Sequence, residues 1–207
     1  MNKGAVITII VLIILVIVGA AIYSSRNSMS QNMNQGMGMG NTNMMGQDAS
    51  ATPTQNGVMV GGALMTPDKD IVQNAMNASN VTTLVAAVKA AGLVPTLEGS
   101  GPFTVFAPTN DAFNKLPAGT VATLLKPENK AKLVDILTYH VVAGSYTSAD
   151  LKDGETLKTV EGGTLTIKKD SNGNIWVNGV AMVQTADVLS RNGVTFVIDT
   201  VLMPPTK

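Results

Sequence analysis

The chain has a single histidine, His140, and no cysteine. His140 stands in the stretch ILTYHVV, directly after Tyr139. An imidazole beside a phenol suggests three roles: a general base, a metal ligand, or a packed core group. A general base needs a nucleophile within reach and a third group to orient it. The G-x-S-x-G elbow of many hydrolases is absent, and AGSYTS around Ser145 lacks the second glycine. A zinc site needs further histidines or clustered carboxylates, and no HExxH segment occurs. Asp111, Asp135, Asp150 and Asp199 are scattered, and no spacing commits two of them to one site. Without cysteine there are no disulfides, no thiol catalysis and no thiolate-held metals. The core reading has positive support. His140 follows Leu133, Ile136 and Leu137 by seven, four and three residues, which are spacings of one helix face. The expectation is a buried ring with a satisfied hydrogen bond, in a protein that is not an enzyme.

Other candidate motifs lack the context their chemistry requires. DSNGN, from Asp170 to Asn174, resembles the start of a calcium loop, but Ile175 and Ala181 stand where that loop needs Gly and Glu. It reads better as a hairpin turn. GMGMG, Gly36 to Gly40, follows no strand and opens no helix, so it cradles no phosphate. Asn77 and Asn80 head glycosylation sequons, which matter only in a eukaryotic secretory pathway. Lys+Arg and Asp+Glu both number 14. A balanced chain lacks the clustered cationic charge that tracks phosphates, so no nucleic-acid partner is expected. No residue set calls for a cofactor.

The elements that would position these residues follow from composition and periodicity. Ala5 to Tyr23 is an uncharged apolar run. At roughly 20 residues it suffices to span a bilayer as a helix. Residues 1–25 are therefore expected to be a transmembrane anchor or, alternatively, a signal peptide cleaved after Val18-Gly19-Ala20. Lys3 and the amino terminus on one flank, against Arg26 on the other, favour a single pass with the C-terminal domain outside the cytoplasm. Residues 26–63 are rich in Gly, Asn, Gln, Ser and Met, too polar to bury a core, and are expected to be a flexible linker. Met29, Met33, Met37, Met39, Met44 and Met45 fall within it. Spaced thioethers suit Cu(I), yet no imidazole or thiolate stands beside them, so a spacer is the favoured reading.

From residue 64 onward the pattern is that of a folded domain, 64–207. Thr66 and Pro67 suit a helix cap and first turn, followed by Ile71, Val72 and Ala75 on one face. Val81, Leu84, Val85 and Val88 keep helical spacing, with Gly92 as the stop and Pro95 beyond it. Phe103 to Phe106 reads as a buried strand ended by Pro108, with Thr109 or Asn110 capping a short helix that carries Phe113 and Leu116. A turn or two of helix is expected in AGTVATLLK, and a longer helix from Pro127 and Glu128 through Leu133, Ile136, Leu137 and Val141. After Gly144 the period becomes two: 156–160, 164–168, 175–177 and 180–183 read as strands joined by Gly162-Gly163, Asn172-Gly173 and Asn178-Gly179 turns. NGVTFVIDTVLMPP closes the antiparallel meander as one long or two joined strands. Helices first and strands second indicate an α+β domain.

Three of these segments, in order, resemble the fasciclin domain. GPFTVFAPTNDAFNKLP is similar to its first signature, ILTYHVVAG to its Tyr-His segment, and NGVTFVIDTVLMPP to its second signature. The resemblance spans about Leu64 to Pro205 and is closest to bacterial secreted single-domain members. It implies a fasciclin-like wedge-shaped β-sandwich flanked by a cluster of short helices, in an extracellular or membrane-anchored family associated with adhesion and matrix contacts. It further implies that Phe103, Phe106, Pro108, Thr109, Asp111 and Phe113, with Tyr139, His140, Asp199 and Pro204, form the fold and interaction motif. The family's second signature usually carries a histidine where this chain has Phe196. The function expected is a membrane-tethered adhesion or interaction module, with an unidentified protein or matrix or envelope component as partner. Two alternatives stand beside it. One is a binder of an apolar small molecule or pigment in a cleft between helices and sheet; the other is a copper-binding methionine tether.

Overall fold

The computed structural model describes residues 57–205. The expected anchor at 1–25 and the methionine-rich stretch through Met45 lie outside the described residues. So does most of the expected linker. Its last seven residues, 57–63, are described, and they contribute to a hairpin rather than to a tether: strand β1, Val58–Val60, pairs antiparallel with β2, Ala63–Met65. Gly61 and Gly62 make the turn with positive φ, which a side chain at either position would strain.

Helix α1 is Ile71–Asn77. It begins later than Thr66 and Pro67, because a stronger cap lies downstream. The Asp70 carboxylate accepts from the Gln73 N–H at 2.8 Å, and the Gln73 side chain accepts from the Asp70 N–H at 3.1 Å. This reciprocal capping box satisfies two otherwise orphaned donors. Thr66 lies in the preceding turn, its N–H held by the Asn74 side chain at 3.0 Å. Helix α2, Thr82–Ala91, ends at Gly92 in the left-handed conformation, as its sequence indicates. Pro95 does not merely follow the helix; it sits in the first turn of the short α3, Val94–Leu97.

Strand β3, Phe103–Pro108, leads into α4, Asn110–Asn114, and α5, Thr120–Leu124. Pro127 and Glu128 open a 3-10 turn, and the long helix α6 starts only at Lys130 and ends at Tyr139. Strands β4, Val141–Ala143, β5, Thr156–Lys158, β6, Thr164–Lys169, and β7, Ile175–Val177, follow. β8 runs Ala181–Ser190, well past the expected end at 183. Its pairing with β9, Gly193–Ile198, shifts register between Val183 and Val188, and Asp187 there adopts a positive φ. These bulges break the alternation by which a strand is recognised.

The six strands from β4 onward, together with β3, form one seven-stranded sheet in the order β4-β3-β9-β8-β7-β6-β5. The stretch from β5 to β9 is the expected antiparallel meander, but β3 and β9 run parallel, so the sheet is mixed. The sheet curls until its edges nearly meet. Val142 bridges Thr159, and the Val160 N–H donates to the Val141 carbonyl at 2.8 Å. Alternate residues of β3 and β9 therefore face two different cores. Phe106, Val194, Phe196 and Ile198 face the interior of the curl, with Leu165, Ile167 and Val177. Val105, Ala107 and Val197 face outward, where Ile71, Val72, Leu84, Val88 and Leu137 of the helices cover them. The result is an α+β fold, a nearly closed sheet with short helices on one face.

Candidate functional site

The three signature segments come together as neighbouring strands. β4, which follows the Tyr-His pair, runs antiparallel to β3, and β3 pairs in parallel register with β9 from Phe103–Gly193 to Pro108–Ile198. Gly193 is required by close approach: a Cβ there would collide with the Phe103 carbonyl. Phe106 is fully buried and stacks on Phe196, with ring centroids 5.4 Å apart. Phe196 thus occupies the place of the family's second histidine as a core aromatic.

His140 is the first residue beyond α6 and caps it, rather than lying on its stripe. Nδ1 lies 2.8 Å from the Ile136 carbonyl, and Nε2 accepts from the Leu202 N–H at 3.0 Å. A carbonyl can only accept and an N–H can only donate, so these partners fix the neutral tautomer with the proton on Nδ1. The His140 carbonyl in turn accepts from the Phe106 N–H at 2.9 Å. One residue thereby joins α6, β3 and the C-terminal segment. Burial penalises the imidazolium and lowers its pKa from 6.5 to about 4, outweighing the opposing hydrogen bond to Ile136. Tyr139 is also buried, its hydroxyl donating to the Thr164 carbonyl at 2.9 Å and accepting from the Asn178 amide at 3.1 Å.

The remaining motif residues are spread over the same framework. Pro108 ends β3 opposite Ile198. Thr109 is buried, donates its N–H to the Ile198 carbonyl at 3.0 Å, and caps α4 by accepting from the Ala112 N–H at 3.2 Å. Phe103 and Phe113 are half-buried against the helix-side core, Asp111 is exposed in the first turn of α4, and Pro204 is half-buried near the C-terminus. Asp199 accepts from the Met182 N–H at 2.9 Å and pairs with Lys115 at 3.1 Å. Partial burial pushes its carboxyl up, but the bonds from Met182, Lys115 and Thr200 prevail and hold it below the usual value. Tyr139, His140, Phe106 and Thr109 are thus core and framework groups.

Two features have no forewarning in motif spacing. The first is Asn192, which is buried. It accepts from the Ile71 N–H at 3.0 Å and donates to the Leu97 and Gly99 carbonyls at 2.7 and 2.9 Å, tying α1 and α3 to the sheet. An Asn-Gly pair at 192–193 reads as a turn, which conceals this role. The second is a cavity of about 70 Å³ between the outer sheet face and helices α1, α2, α3 and α6. Val72, Val88, Leu97, Val105, Ala107 and Leu137 are among its lining, which is almost wholly apolar. Its lining reaches from buried Phe106 and Ala107 to exposed Thr96 and Lys89, so it opens to solvent at the C-terminal end of α2. Among the described residues, no group of three or more His, Cys, Asp or Glu is placed to hold a metal, and no helix is long and apolar enough to cross a membrane.

The fasciclin domain family model matches residues 79–204, more than half of the chain. The chain belongs to the fasciclin family. It is 50% identical over 157 residues to Protein sll1483 of Synechocystis, covering 76% of this chain and 86% of that protein. It is 43% identical to Immunogenic protein MPB70 of Mycobacterium bovis over 136 residues, 63% of this chain and 67% of that one. In fold it resembles a solved FAS1 domain pair from the insect cell adhesion molecule Fasciclin I, with a TM-score of 0.60 and 21% identity. That likeness covers 67% of this chain, which spans about half (52%) of the pair.

Proposed function

We propose that this fasciclin domain is a non-catalytic adhesion or interaction module, displayed outside the cytoplasm on the N-terminal apolar segment and the polar linker. One observation carries the reading. The residues that define the family converge on three adjacent strands, and His140, Tyr139 and Thr109 spend their polar atoms inside the framework. Such a domain presents a rigid surface; its signature residues build that surface rather than turn over a substrate. The relative named a cell adhesion molecule shares this fold. A linker of 26–56, stopping short of the β1–β2 hairpin, would have an r.m.s. reach of about 28–33 Å, enough to clear a membrane surface. Protease applied to intact cells producing the full chain should cut the linker, release an intact domain and reduce cell–cell or cell–surface adhesion. Protection of the domain until lysis would overturn the external location. Release with unchanged adhesion would overturn the adhesive role.

A second reading has its own support. The cavity between helices and sheet is an apolar binding site for a small molecule. At about 70 Å³ it falls below the roughly 300–1,000 Å³ of drug-sized ligand pockets, so a small ligand suits it and a pigment does not.

A further inference from the structure

The cavity has a chemically asymmetric mouth, and on the reading that it binds a small molecule, we propose that its ligand is a short single-chain carboxylate: an alkyl tail inside and an anionic head at the C-terminal end of α2. The interior offers the tail side chains such as Val72, Val88, Val105 and Leu137. Almost nothing polar is available there, so a buried head group would go unsatisfied. His140 touches the cavity, but both ring nitrogens are already engaged with Ile136 and Leu202. The polar end must therefore stay at the mouth.

One cation lines the mouth, and a second lies near it. Lys89 lines the cavity from the last turn of α2 and is exposed. A Cβ placed on Gly92, the residue that ends this helix, would stand 3.4 Å from the Lys130 ammonium, so a second cation flanks the same helix end. Neither of the two ion pairs found among the described residues, Lys115–Asp199 and Arg191–Asp70, uses Lys89 or Lys130. Glu161 follows the lining residue Val160, but it points a carboxylate oxygen at the Gly163 N–H, 3.0 Å away. A lysine in a last turn also complements the helix dipole, which accounts for Lys89 by itself. Lys130 is drawn to the same helix end, close to Gly92 but outside the cavity lining, so it adds to the positive field near Lys89 without touching the ligand.

Tail length follows from volume. A cavity of about 70 Å³ has room for several methylene-sized groups and not for a long chain. Each buried methylene should tighten binding about fourfold.

The test titrates the full chain with butanoate, hexanoate, octanoate and dodecanoate, and with the matching alcohols, reading methyl NMR shifts at Val88, Val105 and Leu137. Affinity should rise about fourfold per methylene to roughly octanoate and then level off. The double variant Lys89→Gln/Lys130→Gln should weaken octanoate roughly two- to fivefold and leave octanol unchanged. Val88→Phe, which fills the cavity, should abolish both, with the remote methyls of Leu165 and Ile167 reporting an intact fold. Chain-length dependence without any effect of the lysines would overturn the carboxylate head and keep the apolar site. Absence of site-specific shifts with acids and alcohols alike would overturn the site itself.

Discussion

The two faces of β3 and β9 are made by the same strands and packed to different ends. Of the four phenylalanines, the two that are fully buried, Phe106 and Phe196, meet ring on ring inside the curled sheet. The other two, Phe103 and Phe113, are only half-buried on the helix side. There the sheet presents Val105, Ala107, Thr195 and Val197, small or branched groups that fill space less completely under short helices. The cavity lies on this second face. One-residue alternation along a strand thus separates a tightly filled frame from a wall with room beside it. A single two-faced sheet supplies both.

The largest expected effect tests that contrast directly. Phe196→Ala removes one partner of the interior stack and should cost about 3–5 kcal/mol. Val88→Ala, on the cavity wall, removes less volume from a site already bordered by free space. It should cost about 1 kcal/mol, near the centre of the range for ordinary substitutions. Urea unfolding of the two variants measures both. Equal losses would mean that the helix face is as tightly packed as the interior, and the distinction between frame and wall would fail.

His140 sits at the seam, bonded to Ile136 of the helix-side core and to Leu202 of the interior core. Its folded pKa is depressed to about 4 from 6.5. The unfolded chain therefore takes up the proton first as pH falls. The contribution is complete above pH 6.5, declines between 6.5 and 4, and is constant below. Over that interval it amounts to roughly 3 kcal/mol at 1.36 kcal/mol per pH unit. Urea midpoints of the parent should fall across this window. His140→Gln should be less stable at pH 7 and should show a flatter profile. Parallel profiles for the two proteins would place the acid sensitivity elsewhere and remove His140 from the seam.

How much of this was readable in advance depends on the range of the interaction. Local signals were legible: Gly92 stops α2, Thr109 caps α4, and Ile175–Val177 is a strand with the expected bounds. The start of α1 is ambiguous in sequence because two caps compete four residues apart, and only the Asp70–Gln73 pair closes a box. β8 extends beyond its legible apolar alternation because its bulges disrupt that pattern. The parallel pairing of β3 with β9 joins residues some ninety positions apart, and no local period encodes it. Helical spacing marks His140 as a core group, yet its partner Leu202 is 62 residues away, beyond the reach of any local pattern. The role of Asn192 was hidden for the same reason, since Ile71 and Leu97 reach it only through the fold.

The smallest expected effect lies at the far end of β9, away from both cores. Lys115 and Asp199 form an ion pair at 3.1 Å, but the Lys115 side chain is 54% exposed and the Asp199 side chain 22%. Solvent screens such a pair, and ordering a long lysine offsets part of the gain. Lys115→Met should therefore change stability by no more than about 0.5 kcal/mol, and raising the salt concentration should change it no further. Asp199→Ala removes more, because the same carboxylate accepts the Met182 N–H that joins β8 to the residue following β9. Losing that acceptor at a partly buried donor should cost about 1–2 kcal/mol. Urea midpoints of the two single variants separate the contributions. Losses of similar size would show that the charge pair, rather than the backbone bond, secures the end of the sheet. The sheet's frame would then rest on surface electrostatics at its open end as well as on the stacked rings inside.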